Sequence, residues 1–282
     1  MTSAGEQRMI LCAGLQSGGT TLISWCFLQR QDTNGVLDMP HDVLQTSFEE
    51  VREPIVWVKM TISAFSWIDV RDLLTDLGWN PEPLLIVRDV RTAYASLMTK
   101  DYGINGTTAE DPPLRMRLRR FLRDWEMFRA KGWPILKFED LIEGERATLQ
   151  RVCCALALPW DEGMITWPKS AQEIAYMNEP NRTFHKSLLA GSLPSAKLPD
   201  KAKVCLGQIP LSELEWIEAT FAAYNNYHLY PARVLPETKL TPALAPPSFE
   251  DTRRHWFSEE YERLWQEAES FRAKDPSLSG QQ

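Results

Sequence analysis

The sequence lacks any apolar run of about 18 residues, the length that a membrane-spanning helix requires. Residues 1–8 are polar and lead directly into a short apolar run, so no signal peptide is expected. The net charge of −7 argues against a broad nucleic-acid-binding surface. The shares of hydrophobic residues (44%) and charged residues (24%) are ordinary for a globular enzyme. We therefore expect a cytoplasmic enzyme that binds neither membranes nor nucleic acid.

Cysteine and histidine are scarce, which argues against a disulfide framework and a zinc site. The five cysteines form no CxxC pair and have apolar neighbours, so we interpret them as reduced core residues: Cys12, Cys26, Cys153, Cys154 and Cys205. The four histidines lack the spacing of metal ligands: His41, His185, His228 and His255. No metal is expected.

Short apolar runs alternate with segments of helical length. The apolar runs are typical of buried parallel strands: Met9–Ala13, Ile55–Val58, Leu84–Val87 and Ile135–Phe138. The other segments predict helices: Thr20–Gln31, Ser66–Leu77, Thr92–Lys100, Pro113–Lys131, Glu145–Ala157 and Ser212–Tyr224, the last with a capping box from Ser212 and Glu215. This order predicts an α/β fold in which a central parallel β-sheet is flanked by helices on both faces.

The chain changes character near residue 232. Five prolines interrupt Pro231–Pro247, which predicts a linker or a surface arm. Beyond it, Ser258–Ala273 has apolar residues at helical spacing and predicts a helix that packs on the domain or on a partner, so a homodimer stays open. We expect a domain over residues 8–232, followed by a Pro-rich arm and a C-terminal helix over residues 233–282.

A glycine-rich turn follows the first predicted strand. It runs from Gly14 to Gly19 and leads into a helix that begins with Thr20 and Thr21. Glycines let backbone N–H groups converge on an anion, and the start of a helix adds its dipole and its unpaired donors. The spacing nearly fits the nucleotide P-loop, but Thr20 stands where a kinase or NTPase has lysine. The alternative is a turn that needs glycine for its geometry alone.

A second candidate for anion binding follows the third predicted strand. Arg88 lies at the end of that strand, where open α/β sheets bind ligands, and Ser96 follows eight residues later in a predicted helix. An arginine and a serine that converge there could hold a separate phosphate. In the alternative, Arg88 pairs with Asp89, and the helix backbone satisfies Ser96.

Together, the two motifs resemble the PAPS-dependent sulfotransferases, in which the loop binds the 5′-phosphosulfate of 3′-phosphoadenylyl sulfate (PAPS) and the Arg/Ser pair binds its 3′-phosphate. Leu136–Leu141 resembles the family's strand ending in Tyr-Glu-Asp-Leu, and Leu211–Tyr230 resembles its last core helix. The resemblance implies a P-loop-like sulfotransferase fold over the domain of residues 8–232. It also implies PAPS as the donor, PAP (adenosine 3′,5′-bisphosphate) as the product and no metal. The acceptor would be a hydroxyl or amine of a small molecule or carbohydrate.

The resemblance also implies which residues bind the donor: Gln16, Ser17, Gly18, Gly19, Thr20, Thr21, Arg88 and Ser96, with Arg182 and Lys186 added by position. The chain departs from the family at Ser17, where the family has a basic residue. Lys59, at the end of the second predicted strand, is the suggested substitute near the sulfuryl group. Thr61 stands where the cytosolic branch has its catalytic histidine.

The general base must therefore come from elsewhere. Other branches of the family take a carboxylate from the segment after the first helix. Here that segment offers three candidates, in order of preference His41, Asp42 and Asp38. His41 accepts a proton near neutral pH without any shift of its pKa. A catalytically weak relative that only binds PAP or PAPS, a P-loop kinase or NTPase, and a structural adaptor are the alternative functions.

Arginines are concentrated in the predicted helix Pro113–Lys131: Arg115, Arg119, Arg120 and Arg123. Their spacing favours a solvated basic face opposite an apolar one. The alternative is a surface on which an anionic acceptor docks.

Overall fold

The computed structural model describes residues 7–39, 48, 51–63, 65–98, 113–177, 191–195 and 209–231. These residues belong to the first of two compact units, Met1–Ala232. The second unit, Arg233–Gln282, lies outside the described residues, and so does the predicted C-terminal helix.

The described residues contain one sheet of five parallel strands: β1 Arg8–Leu15, β2 Thr33–Val36, β3 Ile55–Ile62, β4 Glu82–Val87 and β5 Ile135–Lys137. Their order is β2-β3-β1-β4-β5, so β1 lies at the centre. Because the strands are parallel, their carboxyl ends lie along one edge of the sheet. At that edge, Gly14 of β1 pairs with Thr61 of β3 on one side and with Ile86 of β4 on the other.

Helices connect the strands and follow them: α1 Thr20–Leu28, α2 Trp67–Asp76, α3 Val90–Met98, α4 Pro113–Lys131, α5 Phe138–Glu143, α6 Glu145–Ala155, α7 Gly163–Thr166, α8 Leu211–Thr220 and α9 Ala222–Tyr227. Single 3₁₀ turns lie at Ala171–Glu173 and Leu193–Ser195.

Side chains of β1 alternate between two separate hydrophobic cores, as the twofold period of a strand requires. Met9 and Leu11 belong to one core, which α2, α3, α4, α8 and α9 cover. Ile10 and Cys12 belong to the other, which α1, α5, α6 and α7 cover. Both faces of the sheet are therefore buried, which explains why its strands are continuously apolar. The prediction of a three-layer α/β fold with a central parallel sheet is confirmed.

The strand limits differ from the prediction, and one strand was missed. The run predicted as Ile55–Val58 continues to Ile62, so Lys59 lies inside β3 rather than at its end. β2 was not predicted, because its Asn34-Gly35 pair is typical of turns; pairing with β3 makes it a strand. β5 ends at Lys137, one residue early, because Phe138 begins α5.

The predicted helix Ser212–Tyr224 is two helices, with Phe221 in a non-helical conformation between them. Helix α8 starts one residue early, directly after Pro210, so Ser212 lies within its first turn and forms no capping box. Pro210 fixes its own φ before the helix and thereby favours this earlier start. Helix α1 also ends at Leu28, before the predicted Gln31.

The cysteines follow the prediction in part. Cys12, Cys26 and Cys153 are free and buried, whereas Cys154 is exposed on α6 and is not a core residue. Burial raises the pKa of the Cys12 and Cys26 thiols to about 12, so both stay protonated and unreactive. Cys205 lies outside the described residues.

A buried carboxylate ties three elements of the first core together. Asp124 of α4, only 3% exposed, accepts the backbone N–H of Trp67 at the start of α2 (2.8 Å). The indole of Trp67 donates in turn to the carbonyl of Leu11 in β1 (3.1 Å). Burial raises the pKa of Asp124 to about 7, and the nearby charge of Asp69 adds to the effect.

This raised pKa predicts that the protein loses stability as the pH rises from about 4 to about 7. Between those values the unfolded chain releases the Asp124 proton while the folded protein keeps it. Deprotonation therefore stabilises the unfolded state relative to the folded one. At about 1.4 kcal/mol per pKa unit, the loss is on the order of 4 kcal/mol. Asp124→Asn keeps an acceptor for Trp67 and should flatten the pH dependence, measured by urea unfolding at several pH values.

The matched control is Asp72→Asn, which removes an exposed carboxylate from α2. It should leave the pH slope of the free energy of unfolding as in the wild type. Identical slopes for Asp124→Asn and the wild type would contradict the prediction.

Candidate active site

The turn between β1 and α1 is a tight phosphate-loop-like structure. The N–H of Gly18 donates to the carbonyl of Leu15 (2.8 Å), and both Ser17 (φ 66°) and Gly19 (φ 91°) adopt left-handed conformations. Among the described residues, no side chain caps the start of α1, and its first turn contains no acid. The positive end of α1 is therefore suited to an anion.

The two threonines that open α1 differ in burial. Thr20 is 4% exposed, and a Cβ at Gly14 would lie 2.6 Å from its γ-methyl group, so Thr20 packs onto the end of β1. Thr21 is half-buried. The structure thus places Thr20 partly in a packing role and leaves Thr21 nearer the surface of the turn.

Arg88 directly follows β4 and reaches this turn. Its Nη1 donates to the carbonyl of Ser17 (2.9 Å), and its guanidinium lies over the ring of Phe138, 4.7 Å from the centroid. The hydroxyl of Tyr224 fixes the backbone of Arg88 by donating to its carbonyl (2.7 Å) and accepting its N–H (3.2 Å). The structure therefore brings Arg88, one member of the second predicted motif, to the predicted phosphate loop at one edge of the sheet.

The same phenyl ring explains the need for glycine at position 19. A Cβ added to Gly19 would come within 2.1 Å of the ring of Phe138, and φ at this residue disfavours any side chain. Phe138 therefore contacts the phosphate loop as well as the guanidinium of Arg88. Sequence reasoning missed this role, although Phe138 lies inside the stretch that resembles the family's Tyr-Glu-Asp-Leu strand.

The acids around Arg88 make their hydrogen bonds to other groups. Asp89 pairs with Arg91 (2.7 Å), so the suggested pair between Arg88 and Asp89 is wrong. Glu139 accepts the N–H of Asp89 (3.0 Å) and the hydroxyl of Tyr230 (2.9 Å). Burial lowers the pKa of Arg88, while the charges of Glu139 and Asp89 oppose that shift. Arg88 thus stays a cation in a partly desolvated place.

Ser96, the second member of the predicted 3′-phosphate pair, lies near the end of α3 and is half-buried. Helix α3 begins at Val90, directly after the strand end that carries Arg88, and Ser96 is on the second turn of this helix. Its role in binding stays a prediction.

A second polar cluster lies one strand away from the loop, at the carboxyl ends of β2 and β3. Lys59 is only 3% exposed; its Nζ lies 3.0 Å from Oδ1 of Asp38 and donates to the hydroxyl of Thr61 (3.3 Å). Asp38 follows β2 by two residues and is 25% exposed. Because Thr61 pairs with Gly14 across the sheet, this cluster borders the phosphate loop.

Four predicted site residues lie outside the described residues: His41, Asp42, Arg182 and Lys186. Their roles stay predictions. Of the candidates for the general base, the described part of the chain contains Asp38.

Three of the four predicted arginines of α4 do not belong to a solvated basic face, whereas Arg123 is exposed as predicted. Arg115 pairs with Glu213 of α8 (2.6 Å), and Arg120 is 5% exposed and donates to the carbonyl of Ser63. Arg119 lies over the ring of Trp216 (5.6 Å). These partners come from segments distant in sequence, which helical periodicity cannot show.

Sequence reasoning also missed Arg117, which is half-buried on the same helix. Its Nη1 donates to Oε1 of Gln16 in the phosphate loop (2.9 Å). Gln16 lies 101 positions away in the sequence, so helical periodicity could not show this contact.

The described residues contain no group of three or more His, Cys, Asp or Glu side chains that could hold a metal ion. None of their helices is both long and apolar enough to span a bilayer.

No family model and no curated protein matches this sequence. The structure is similar to mouse sulfotransferase SULT7A1 complexed with PAP, at 12% identity and a TM-score of 0.40, over 57% of this chain and 62% of that one. It is also similar to the sulfotransferase domain of the Synechococcus PCC 7002 olefin synthase, at 13% identity and a TM-score of 0.42, over 74% of this chain and 95% of that one.

A third similar structure is the sulfotransferase domain from the curacin biosynthetic pathway, at 13% identity and a TM-score of 0.46, over 71% of this chain and 97% of that one. All three are sulfotransferases or sulfotransferase domains by name. Similarities of this size carry no conclusion about the activity, donor or acceptor of this chain.

The contact between Gly19 and Phe138 predicts that Gly19→Ala destabilises the protein more than the left-handed backbone alone explains. Gly78 is a matched control, because its φ is 87° and an added Cβ would meet nothing within 4 Å. Gly78→Ala should cost about 1–2 kcal/mol of backbone strain. Gly19→Ala should cost about 1–3 kcal/mol more from overlap with the ring.

Urea unfolding of the two variants measures this difference. Equal destabilisation by Gly19→Ala and Gly78→Ala would show that the ring does not restrict the loop.

Proposed function

We propose that this protein is a sulfotransferase that takes its sulfuryl group from PAPS. The hydrogen bond from Arg88 to the carbonyl of Ser17 carries the proposal. PAPS has one anionic group at the 5′ end of its ribose and another at the 3′ position. The proposal places the 5′ end on the loop of residues 16–21 and the 3′-phosphate on Arg88 and Ser96, with Arg182 and Lys186 as further ligands.

A guanidinium adjacent to a phosphate loop suits this donor better than ATP. The loop lacks the lysine that reaches the β- and γ-phosphates in kinases and NTPases, since Thr20 takes that position. Arg88 keeps its charge despite burial, because Glu139 and Asp89 stabilise it. A charged group fixed beside the loop gives a reason for selectivity toward a nucleotide with a 3′-phosphate.

The proposed reaction is an in-line transfer. The oxygen or nitrogen of the acceptor forms a bond to sulfur as the bond between sulfur and the 5′-phosphate oxygen breaks, and PAP leaves. The acceptor's proton passes to a general base. We assign that role to Asp38, since Lys59 orients its carboxylate (3.0 Å) and a quarter of it is exposed. His41 and Asp42 stay alternatives on the same segment.

Charge on the departing oxygens needs stabilisation during the transfer. The start of α1 supplies backbone donors and its dipole, and Lys59 supplies a cation beside the loop. Fixed donors and charges of this kind contribute several kcal/mol in such sites. The acceptor would be a small molecule or a carbohydrate.

A second candidate function is a relative that binds PAP or PAPS and transfers poorly. The observation that favours it is the ion pair between Lys59 and Asp38. Lys59 is the suggested substitute for the basic residue that the loop lacks, and this pair engages its charge. Sulfuryl transfer from PAPS to a panel of phenols, sugars and amines separates the two functions. Release of PAP with an acceptor supports the enzyme, and binding without transfer supports the weak relative.

The proposed role of Arg88 predicts the nucleotide specificity of a variant. Arg88→Ala should weaken PAP binding by about 1.5–3 kcal/mol, the size of a charge-assisted hydrogen bond. Binding of 5′-AMP, which has no 3′-phosphate, should change little. Isothermal titration calorimetry measures both affinities.

Arg146→Ala serves as the control, because it removes an exposed arginine of α6 that pairs with Glu162. It should leave both affinities unchanged. Unaltered PAP affinity in Arg88→Ala, or tighter binding of ATP than of PAP by the wild type, would contradict the assignment.

The assignment of the base predicts a separation of binding from turnover. Asp38→Asn should lower the rate of sulfuryl transfer about 10²–10⁴-fold, the usual contribution of general-base catalysis. PAP affinity should stay close to that of the wild type, since Asp38 does not bind the nucleotide in this scheme. Transfer at the wild-type rate in Asp38→Asn would move the role to His41 or Asp42.

A further inference from the structure

In the described sheet, the hydrogen-bond ladder of β4 ends just before Arg88. Val87 is the last residue of β4 that pairs with β5, opposite Lys137, and the chain of β5 then turns into α5 at Phe138. The N–H and the carbonyl of Arg88 therefore lie just past the strand pairing. Backbone groups that are shielded from water need a partner, because an unpaired one costs free energy.

One phenol hydroxyl takes the place that a neighbouring strand would fill. The hydroxyl of Tyr224 donates to the carbonyl of Arg88 (2.7 Å) and accepts its N–H (3.2 Å), across 136 positions of sequence. In a ladder, the backbone of the adjacent strand supplies both the donor and the acceptor. Here a side chain of α9 supplies both, so a helix fixes the backbone at the end of the strand.

The ring of Tyr224 is held in place by the first core. The side chain is fully buried (0% exposed). Its ring packs edge-on against Phe121 and Trp125 of α4, with centroids 5.6 Å and 5.1 Å away, and it stacks with Tyr230 at 5.8 Å. Aromatic pairs of this geometry are favourable and directional. The hydroxyl therefore reaches Arg88 from a well-packed support and not from a surface loop.

We propose that Tyr224 is a positioning residue for nucleotide recognition, an inference that rests on the proposed function. By fixing the backbone of Arg88, its hydroxyl sets where the guanidinium lies and so controls the contact with the 3′-phosphate. Tyr224 does not touch the nucleotide in this scheme, because its side chain is buried and its hydroxyl binds Arg88 twice. It therefore acts on the feature that distinguishes PAPS and PAP from nucleotides without a 3′-phosphate.

The length of the arginine side chain makes its tip sensitive to the backbone that carries it. Nη1 of Arg88 donates to the carbonyl of Ser17 (2.9 Å), and the guanidinium lies 4.7 Å from the centroid of Phe138. Hydrogen bonds weaken steeply with poor geometry, so a small rotation at residue 88 disturbs the placement of the guanidinium. In the alternative, Ser17 and Phe138 hold the guanidinium by themselves, and the hydroxyl of Tyr224 contributes to stability alone.

Calorimetry of Tyr224→Phe with two nucleotides tests the inference. The substitution keeps the buried ring and removes only the hydroxyl. PAP, which has the 3′-phosphate, should bind about 3- to 10-fold more weakly than to the wild type. The affinity for 5′-AMP, which lacks that phosphate, should stay at the wild-type value. A role in stability alone would leave both affinities of the folded variant unchanged.

Tyr94→Phe is the matched control. It removes the hydroxyl of another buried tyrosine of the first core, which donates to Glu213 of α8 (2.9 Å). Urea unfolding of the two variants gives the cost of losing a buried tyrosine hydroxyl in each place. Tyr94→Phe should bind PAP with the wild-type affinity, whatever its stability.

A double variant shows whether Tyr224 acts through Arg88. In the Arg88→Ala background, Tyr224→Phe should cause no further loss of PAP affinity, because the side chain that the hydroxyl positions is already absent. Residues that act independently would instead give additive losses.

Three results would overturn the inference. They are a Tyr224→Phe variant that binds PAP as tightly as Tyr94→Phe does, equal losses of affinity for PAP and 5′-AMP, and additive losses in the double variant. Each of them leaves the proposed function standing if the wild type binds PAP and Arg88→Ala weakens that binding. A wild type that does not bind PAP overturns both the inference and the proposed function.

Discussion

The guanidinium of Arg88 is the point on which the site depends. It is held between the carbonyl of Ser17 and the ring of Phe138, so the end of β4, the turn after β1 and the start of α5 meet around one side chain. The hydroxyl of Tyr224 on α9 fixes the backbone beneath it. Gly19 packs against the same phenyl ring, so the loop, the ring and the arginine are in direct contact.

This arrangement has an electrostatic consequence. Burial disfavours a charged guanidinium, and the neighbouring charges of Glu139 and Asp89 offset that cost. Each of those acids has partners that hold it: Asp89 pairs with Arg91, and Glu139 accepts the hydroxyl of Tyr230. The acids therefore stabilise Arg88 through space, without forming the short ion pairs that would use up its donors. An anionic ligand would find a cation that needs no reorganisation before it binds.

Local sequence was enough to predict the frame of this site and the position of Arg88. Continuously apolar runs indicated buried parallel strands, and glycines followed by Thr20 indicated a loop that leads into a helix. Two kinds of feature escaped prediction. Strand limits depend on hydrogen bonding to the neighbouring strand. That bonding makes β2 a strand despite its Asn-Gly sequence, and β3 extends beyond Lys59. Side-chain partners depend on how helices pack on the sheet, so nothing local to Arg117 indicated that it reaches Gln16.

That second kind of feature changes how this loop should be understood. In a loop that carries its own basic residue, the positive charge moves with the backbone that binds the phosphate. Here the arginines that contact the loop come from the end of β4 and from α4, so these side chains and the backbone donors belong to different elements. Their spacing is then fixed by the contacts that seat α4 on the sheet, among them Arg120 with Ser63 and Asp124 with Trp67. Residues distant from the loop in sequence therefore set the spacing between the loop and the arginines that contact it, and core packing becomes part of the geometry of the candidate site.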